Sequence, residues 1–355
     1  MSNIEKLMNA VPDNSDCAVI VSDINRRYFT GMKSSAGVLL CFRDKAYLII
    51  DFRYIEKARE CVKDCEVILQ GSLYGQIEEL LHRHNAHIIS VEAEEMTLKS
   101  LNSFRKNLKN TSFDTTDRLS RKIYDMRSVK SDEDIEKMKI AQKFTDDAFT
   151  HILDFIQEGR TEREIALELD YFMLRNGAEA LSFDTIALAG KNTSMPHGVP
   201  SDYKVKNGDF VLMDFGAVYD GYHSDMTRTV CVGNPDEKMK NIYNIVLSAQ
   251  SAALKSVCAG ITGKNLDAFA REIIEDAGYG EAFGHSLGHG VGMEIHEYPN
   301  ASTKSDTILP ENAVVTIEPG IYLPQEFGVR IEDMVKITNK GCMNFTHSPK
   351  NLICL

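Results

Sequence analysis

Gly208–Val232 reads GDFVLMDFGAVYDGYHSDMTRTVCV, and this stretch decides the architecture of the C-terminal two thirds of the chain. Asp220–Gly221 is a two-residue hairpin signal between two strand-like runs. With that turn, Tyr219 faces Tyr222, Val218 faces His223, Gly216 faces Asp225 and Asp214 faces Thr227. Asp214 and Asp225 then leave the same face as diagonal neighbours, roughly 7–8 Å apart at the backbone. Asp214 lies among Val211, Leu212, Met213 and Phe215, where an uncompensated carboxylate costs several kcal/mol. An acid inside so apolar a strand calls for a cation.

Three further groups extend the pattern. Glu318 ends the apolar run Ala313–Ile317 and is followed by the turn Pro319–Gly320. Glu332 lies in Phe327–Ile337, where strand alternation puts Arg330, Glu332 and Met334 on one face, so that Arg330 can hydrogen-bond a ligating carboxylate. His289 sits in FGHSLGHGVGMEIHEYP (Phe283–Pro299), with His285 and His296 on either side and glycines between them that permit close backbone approach. Four carboxylates and one imidazole exceed what one zinc takes, and suit a pair of divalent ions sharing bridging carboxylates. His197, in the Pro/Gly-rich loop Asn192–Pro200, is placed to reach the same site. The remaining histidines, His82, His84, His87, His151, His223 and His347, are read as structural.

Outward from this centre, the second domain opens on a helix capped by Ser131, with Asp132, Glu133 and Asp134 favouring its N-terminal dipole and apolar residues recurring to about Ile156. Thr161-x-x-Glu164 is a capping box for a helix that runs to Arg175 and stops at Asn176–Gly177. Two more helices are expected between Asp236 and Ala259 and between Asn265 and Ala277. The first 120 or so residues alternate strand and helix signals: strands at Ala18–Val21, Ala36–Phe42, Ala46–Ile50, Glu66–Leu69 and His87–Val91, helices at Tyr54–Val62, Tyr74–His84 and from Met96. That is an α/β domain without a phosphate-binding glycine loop. The polar run Thr115–Ser131 is the expected junction, dividing the chain into residues 1–122 and 123–355.

Composition narrows the function. The 355 residues are 43% hydrophobic and 26% charged, with a formal net charge of -12. That charge repels phosphate backbones and anionic lipid, so nucleic acid and membrane are not expected partners. No stretch approaches the roughly 18 apolar residues of a membrane span, and Met1–Pro12 has no secretory apolar core; a cytoplasmic protein is expected. The eight cysteines are scattered, and the one close pair, Cys61 and Cys65, lacks further ligands at metal-binding spacing; free thiols are expected.

Asp214, Asp225, His289, Glu318 and Glu332, in that order and at those spacings, resemble the five metal ligands of the creatinase-fold, or pita-bread, metallopeptidases: methionine aminopeptidase, aminopeptidase P and prolidase. The likeness extends to His197, seventeen residues before the first aspartate, and to His285, His296, Tyr322 and Arg330. The N-terminal segments Tyr28–Gly31 and Asp51–Tyr54 are similar to those of the proline-specific branches.

The resemblance implies an α/β N-terminal domain, an α+β pita-bread catalytic domain and two divalent ions, Mn²⁺ first, with Co²⁺ or Zn²⁺ as alternatives. It implies that Asp214 chelates one metal, that Asp225 and Glu332 bridge, and that His289 and Glu318 complete the other. A hydroxide shared by the ions is the implied nucleophile, and Glu318 the implied proton shuttle. His197 and His296 would stabilise the tetrahedral intermediate, and His285, Tyr322 and Arg330 would form the substrate pocket. The implied substrates are peptides with proline at the second position, and a homodimer is the implied assembly. The chain has no tryptophan, unlike some longer aminopeptidases P, and its length is nearer to compact prolidases and short bacterial aminopeptidases P, so dipeptide and longer-peptide readings both stand. The rivals are a methionine or broad-specificity aminopeptidase on the same fold, a non-catalytic relative, and metal-free creatine hydrolysis, which the retained ligand set opposes.

Overall fold

Runs of branched and apolar residues too short for helices build the N-terminal sheet: β1 (Cys17–Ile20), β2 (Val38–Phe42) and β3 (Ala46–Ile50) are buried along their whole length. With β4 (Glu66–Leu69), β5 (Ile88–Val91) and β6 (Ser112–Asp114) they form one mixed sheet in the order β4-β3-β2-β1-β5-β6. Helices α1 (Asn3–Ala10), α2 (Asp23–Thr30), α3 (Ile55–Cys61), α4 (Leu73–Arg83) and α5 (Leu98–Asn107) complete the α/β unit. Helix α2 was not evident in the sequence because it buries Asn25 and Arg26. Asn25 donates to the distant Glu92, and Arg26 turns back onto Asp23 and the Ser34 carbonyl, so the usual polar-out pattern fails.

The computed structural model describes residues 1–355, which divide into two compact units, Met1–Met126 and Arg127–Leu355. The polar run expected to be a junction is largely helical, as α6 (Arg118–Ser128).

In the second unit the capping signals act as read. Ser131 and Asp134 form a capping box for α7 (Asp132–Phe155), and Thr161 and Glu164 form one for α8 (Glu162–Arg175). Helices α9 (Glu237–Ser256) and α10 (Gly263–Asp276) start at side-chain caps from Asp236 and Thr262. The strands are β7 (Ala180–Leu181), β8 (Ile186–Ala189), β9 (Phe210–Phe215), β10 (Ala217–Tyr219), β11 (Tyr222–His223), β12 (Met226–Cys231), β13 (Gly288–Gly290), β14 (Glu297–Ala301), β15 (Val314–Ile317), β16 (Gly320–Leu323), β17 (Phe327–Arg330), β18 (Asp333–Thr338) and β19 (Gly341–Asn344). They pair as β11-β10-β7, β12-β9-β8, β14-β13-β15-β18-β19 and β16-β17.

The hairpin has the register read from its turn: Tyr219 opposite Tyr222, Val218 opposite His223, Asp214 opposite Thr227. Asp220 and Gly221 both have positive φ, as a type I′ turn requires. The hairpin bends at Gly216, where a Cβ would lie 2.0 Å from the Ser224 carbonyl oxygen, and its tip joins a different sheet from its base.

Strand alternation then sorts the residues. Val211, Met213 and Phe215 pack with α7 and α8 in one apolar cluster, so Phe210, Leu212 and Asp214 face the other way. A second cluster, led by α9 and α10, takes Val315 and Ile317 from β15, leaving Thr316 and Glu318 on the opposite face. Two apolar layers thus enclose a polar seam, and the acids stand in it. No helix is long and apolar enough to cross a membrane.

Candidate metal centre

The seam opens into a cavity of about 630 Å³ whose wall includes all five expected ligands together with His197, His285, His296 and Arg330. Ligand atoms of Asp225, His289 and Glu332 lie within 4.8 Å of one another. His289 Nε2 is 3.5 Å from Asp225 Oδ2 and 3.4 Å from Glu318 Oε1. Asp214 Oδ2 accepts from Arg330 Nη2 at 2.6 Å. Tyr322 is the exception: it stands behind the wall, its hydroxyl accepting from Arg330 Nη1 at 2.8 Å and meeting His285 Nε2 at 2.9 Å.

Two of the acids are held by threonine hydroxyls, Glu332 from the neighbouring strand β12 and Glu318 from the strand it ends. Thr227, two residues beyond Asp225 on the same face, donates from Oγ1 to Glu332 Oε2 at 2.8 Å. Thr316, two residues before Glu318, donates from Oγ1 to that carboxylate at 3.2 Å and accepts the His289 backbone N–H at 3.0 Å. The sequence reading missed both threonines, although period-2 alternation from each acid points to them. One expectation is corrected. Phe327–Ile337 is not a continuous strand: it breaks at Ile331–Glu332, with β17 paired to β16 and β18 paired to β15. The break lets Arg330 reach Asp214 while Glu332 turns towards Thr227.

Electrostatics test whether these residues fit metal ions. Burial, then the charges of Glu332, Asp214 and Glu318, push the Asp225 carboxyl well above the ordinary range. Burial, then Glu318 and Asp214, do the same to Glu332. Glu318 is pushed up to about 8 by burial and by Asp214, against the pull of Arg330. Burial, with His296 nearby, takes His289 down to about 4, so its imidazole is neutral. Its Nδ1 donates to the Gly290 carbonyl at 3.1 Å, which turns the Nε2 lone pair towards two carboxylates. Acceptors facing acceptors, with Asp214 Oδ1 also buried and without a partner, describe a centre short of positive charge. Hard oxygen donors and one imidazole fit divalent cations. Loading metal at neutral pH is therefore expected to release protons, with affinity falling as pH drops. Calorimetry in buffers of different ionisation enthalpy checks this; heats that do not vary with buffer would contradict it.

The histidines flank the acids. The rings of His296 and His289 are 4.3 Å apart, and His197 lies exposed on the opposite loop. His285 donates from Nδ1 to the Ser286 carbonyl, so its Nε2 accepts from Tyr322; burial and then the Arg330 charge lower it to about 4.

Strand β14, which follows His296, is tied down by a buried ion cluster: Glu297 accepts from Arg127 Nη2 and Lys130 Nζ, each at 2.7 Å. Burial alone would raise the Glu297 carboxyl, but the two cations outweigh it and hold it below its ordinary 4.5. A depressed carboxyl contributes stability that is complete above the unfolded value and is lost as pH falls through the folded one. The advantage of the wild type over Glu297→Gln, about 2 kcal/mol near neutrality, is expected to close below about pH 4.5. Urea denaturation across pH measures it, and a constant difference would refute the account.

Residues 136–339 match the metallopeptidase family M24 and residues 2–129 match the Creatinase/Prolidase N-terminal domain. The chain is 40% identical over 352 residues to an Xaa-Pro dipeptidase of Pyrococcus furiosus, covering 99% of each. It superposes on a solved Xaa-Pro dipeptidase from Bacillus anthracis with a TM-score of 0.95 at 40% identity, covering 99% of each chain. An X-Pro aminopeptidase from Thermotoga maritima gives a TM-score of 0.91 at 38% identity, covering 96% of this chain and 98% of that one. The architecture is thus the creatinase N-terminal domain followed by the pita-bread catalytic fold. By these matches, and by the acid-lined seam, the chain belongs to metallopeptidase family M24 and is a hydrolase that works with divalent metal ions.

Proposed function

We propose that this protein is a dinuclear exopeptidase that cleaves the bond between an N-terminal residue and proline. One observation carries the reading: four carboxylates and a neutral imidazole converge in a buried seam where Arg330 is the only Lys or Arg on the cavity wall. Asp214, Asp225, His289, Glu318 and Glu332 would hold the ions, and so oxygen-rich a set favours Mn²⁺ or Co²⁺ over thiolate-seeking metals. When bound, such ions supply a water of lowered pKa and polarise the scissile carbonyl.

The side chains do the rest. Glu318, on the cavity wall beside His289, takes up a proton on a carboxylate oxygen and delivers it to the departing proline nitrogen. His197 and His296 face the carbonyl oxygen as hydrogen-bond donors. His285 lines the proline side, its ring held by the Ser286 carbonyl and Tyr322. A bond to proline offers no amide hydrogen, so its recognition rests on a fitted wall rather than an acceptor.

The cavity wall also favours one branch. Arg330 is committed to Asp214, Tyr322 and Thr227, which leaves no Lys or Arg on the wall to meet the carboxylate of a dipeptide. This supports cleavage of peptides longer than two residues, although the relatives include Xaa-Pro dipeptidases. The test is release of the N-terminal residue from Xaa-Pro and Xaa-Pro-Xaa peptides by chelated protein given back Mn²⁺ or Co²⁺. Faster tripeptide cleavage supports the longer-peptide branch, and dipeptide cleavage alone reverses it. Equal rates on matched Xaa-Ala peptides would overturn proline specificity.

A further inference from the structure

We propose that Glu162 is a positioning residue for the reaction, acting through His197; this rests on the role given to His197 above. Glu162 is the first residue of α8 and is fully buried, at 0% exposure. No Lys or Arg pairs with it. Four donors surround the carboxylate instead, matching its lone-pair sites. Oε1 accepts from Ala189 N at 2.7 Å and Asn192 Nδ2 at 2.9 Å, whereas Oε2 accepts from Ser201 N at 2.9 Å and Ser201 Oγ at 2.6 Å.

The two oxygens therefore grip opposite ends of one loop. Ala189 ends β8 and Asn192 begins the excursion; Ser201 is where the chain returns to pair with the start of α8, through Arg163 N to the Ser201 carbonyl and Glu162 N to the Tyr203 carbonyl. Between the ends lie Pro196, His197, Gly198, Val199 and Pro200, all on the cavity wall. The His197 ring is exposed and takes no hydrogen bond from the rest of the chain, so its position is set by the loop backbone. Inside the loop the backbone bonds are short local turns, Met195 N to the Asn192 carbonyl and Gly198 N to the Met195 carbonyl. A link outward comes from Gly328 N to Thr193 Oγ1 at 2.8 Å. It holds the entry side; on the exit side Ser201 is held by the Glu162 carboxylate through its N–H and hydroxyl and by Arg163 N through its carbonyl.

A glutamine at this position keeps Oε1 for Ala189 and Asn192 but turns an NH₂ group towards Ser201, whose N–H loses its acceptor while its hydroxyl is left only to accept, loosening only the exit. That asymmetry makes a specific test. Wild type, Glu162→Gln, His197→Ala and the double variant are compared on an Xaa-Pro-Xaa peptide, with bound Mn²⁺ measured in each. Glu162→Gln is expected to lose roughly 10- to 100-fold in kcat with KM and metal content kept. The double variant is expected to be no slower than His197→Ala alone. Hydrogen exchange in Glu162→Gln is expected to speed up over residues 195–201 and to stay unchanged over β9. Multiplying losses, lost metal, or exchange rising across the unit would make Glu162 a general stabiliser and overturn the proposal. If Glu162→Gln does not fold, Asn192→Ala and Ser201→Ala each remove the one side-chain donor at their end of the grip and must show the same non-additivity on a smaller scale. A wild type inert on Xaa-Pro peptides would sink the proposed function, and the exchange pattern would still decide the clamp.

Discussion

Glu332→Gln is expected to lower kcat/KM by at least roughly 10³-fold while making the metal-free protein more stable. The side chain is fully buried, and its carboxyl is raised by burial and by the Glu318 and Asp214 charges. Glutamine keeps an oxygen for the Thr227 hydroxyl, which donates to Glu332 at 2.8 Å, but removes the negative charge that a bridging ligand must offer. In the chelated protein the same change removes the cost of taking up a proton on that carboxyl when the chain folds. The gain is about 1–2 kcal/mol, a stability–function trade-off of ordinary size, read as a rise of about 2–6 °C in the transition of the catalytic unit. Metal content and kcat/KM are measured at saturating Mn²⁺, and melting is measured after chelation. Retained activity, or a lower Tm in the chelated variant, would refute the assignment of Glu332 as a ligand in a charge-starved seam.

Arg330→Met is expected to act in the reverse direction on stability. Arg330 is 3% exposed, donates to Asp214, Tyr322 and Thr227 at 2.6, 2.8 and 2.9 Å, and is the only Lys or Arg on the cavity wall. Its removal orphans Asp214 beside three other acids. Breaking one partner of such a buried pair costs about 3–5 kcal/mol. Divalent metal restores part of this loss because it neutralises the same carboxylate, so the deficit measured by urea denaturation is expected to shrink when Mn²⁺ is present. Arg330→Lys keeps the charge but cannot bond Asp214, Tyr322 and Thr227 together, and it is expected to fall between the two. Equal stability of wild type and Arg330→Met without metal would show that Asp214 is stabilised by something other than Arg330.

Much of the centre was legible because its signals are local. The Asp220–Gly221 turn fixed the register that puts Asp214 across from Thr227, and an acid in an apolar strand has few physical explanations besides a cation. Helix starts at Ser131 and Thr161 were legible for the same reason, since a cap and its partner lie three residues apart. Other features were not. Helices α1, α2 and α6 went unread, α2 because it buries Asn25, whose acceptor Glu92 lies far away in sequence, and Arg26, which turns back onto Asp23 and the Ser34 carbonyl. The break at Ile331–Glu332 was invisible because alternation continues smoothly through it, although the two halves pair with different strands.

The sequence by itself marked the candidate ligands and the face on which each hairpin acid stands, because turn type and period-2 alternation are short-range geometry. Only the tertiary structure decided how those groups are tuned. It brings Glu332 under Thr227, Arg330 onto Asp214, and Glu162 onto both ends of the His197 loop. Those partners lie between 27 and 116 residues apart, and each contact involves a buried charged group, Glu332, Arg330 or Glu162. Burial raises a carboxyl, and distant chain segments supply the donors that hold it; neither is a property of the residues near it in sequence.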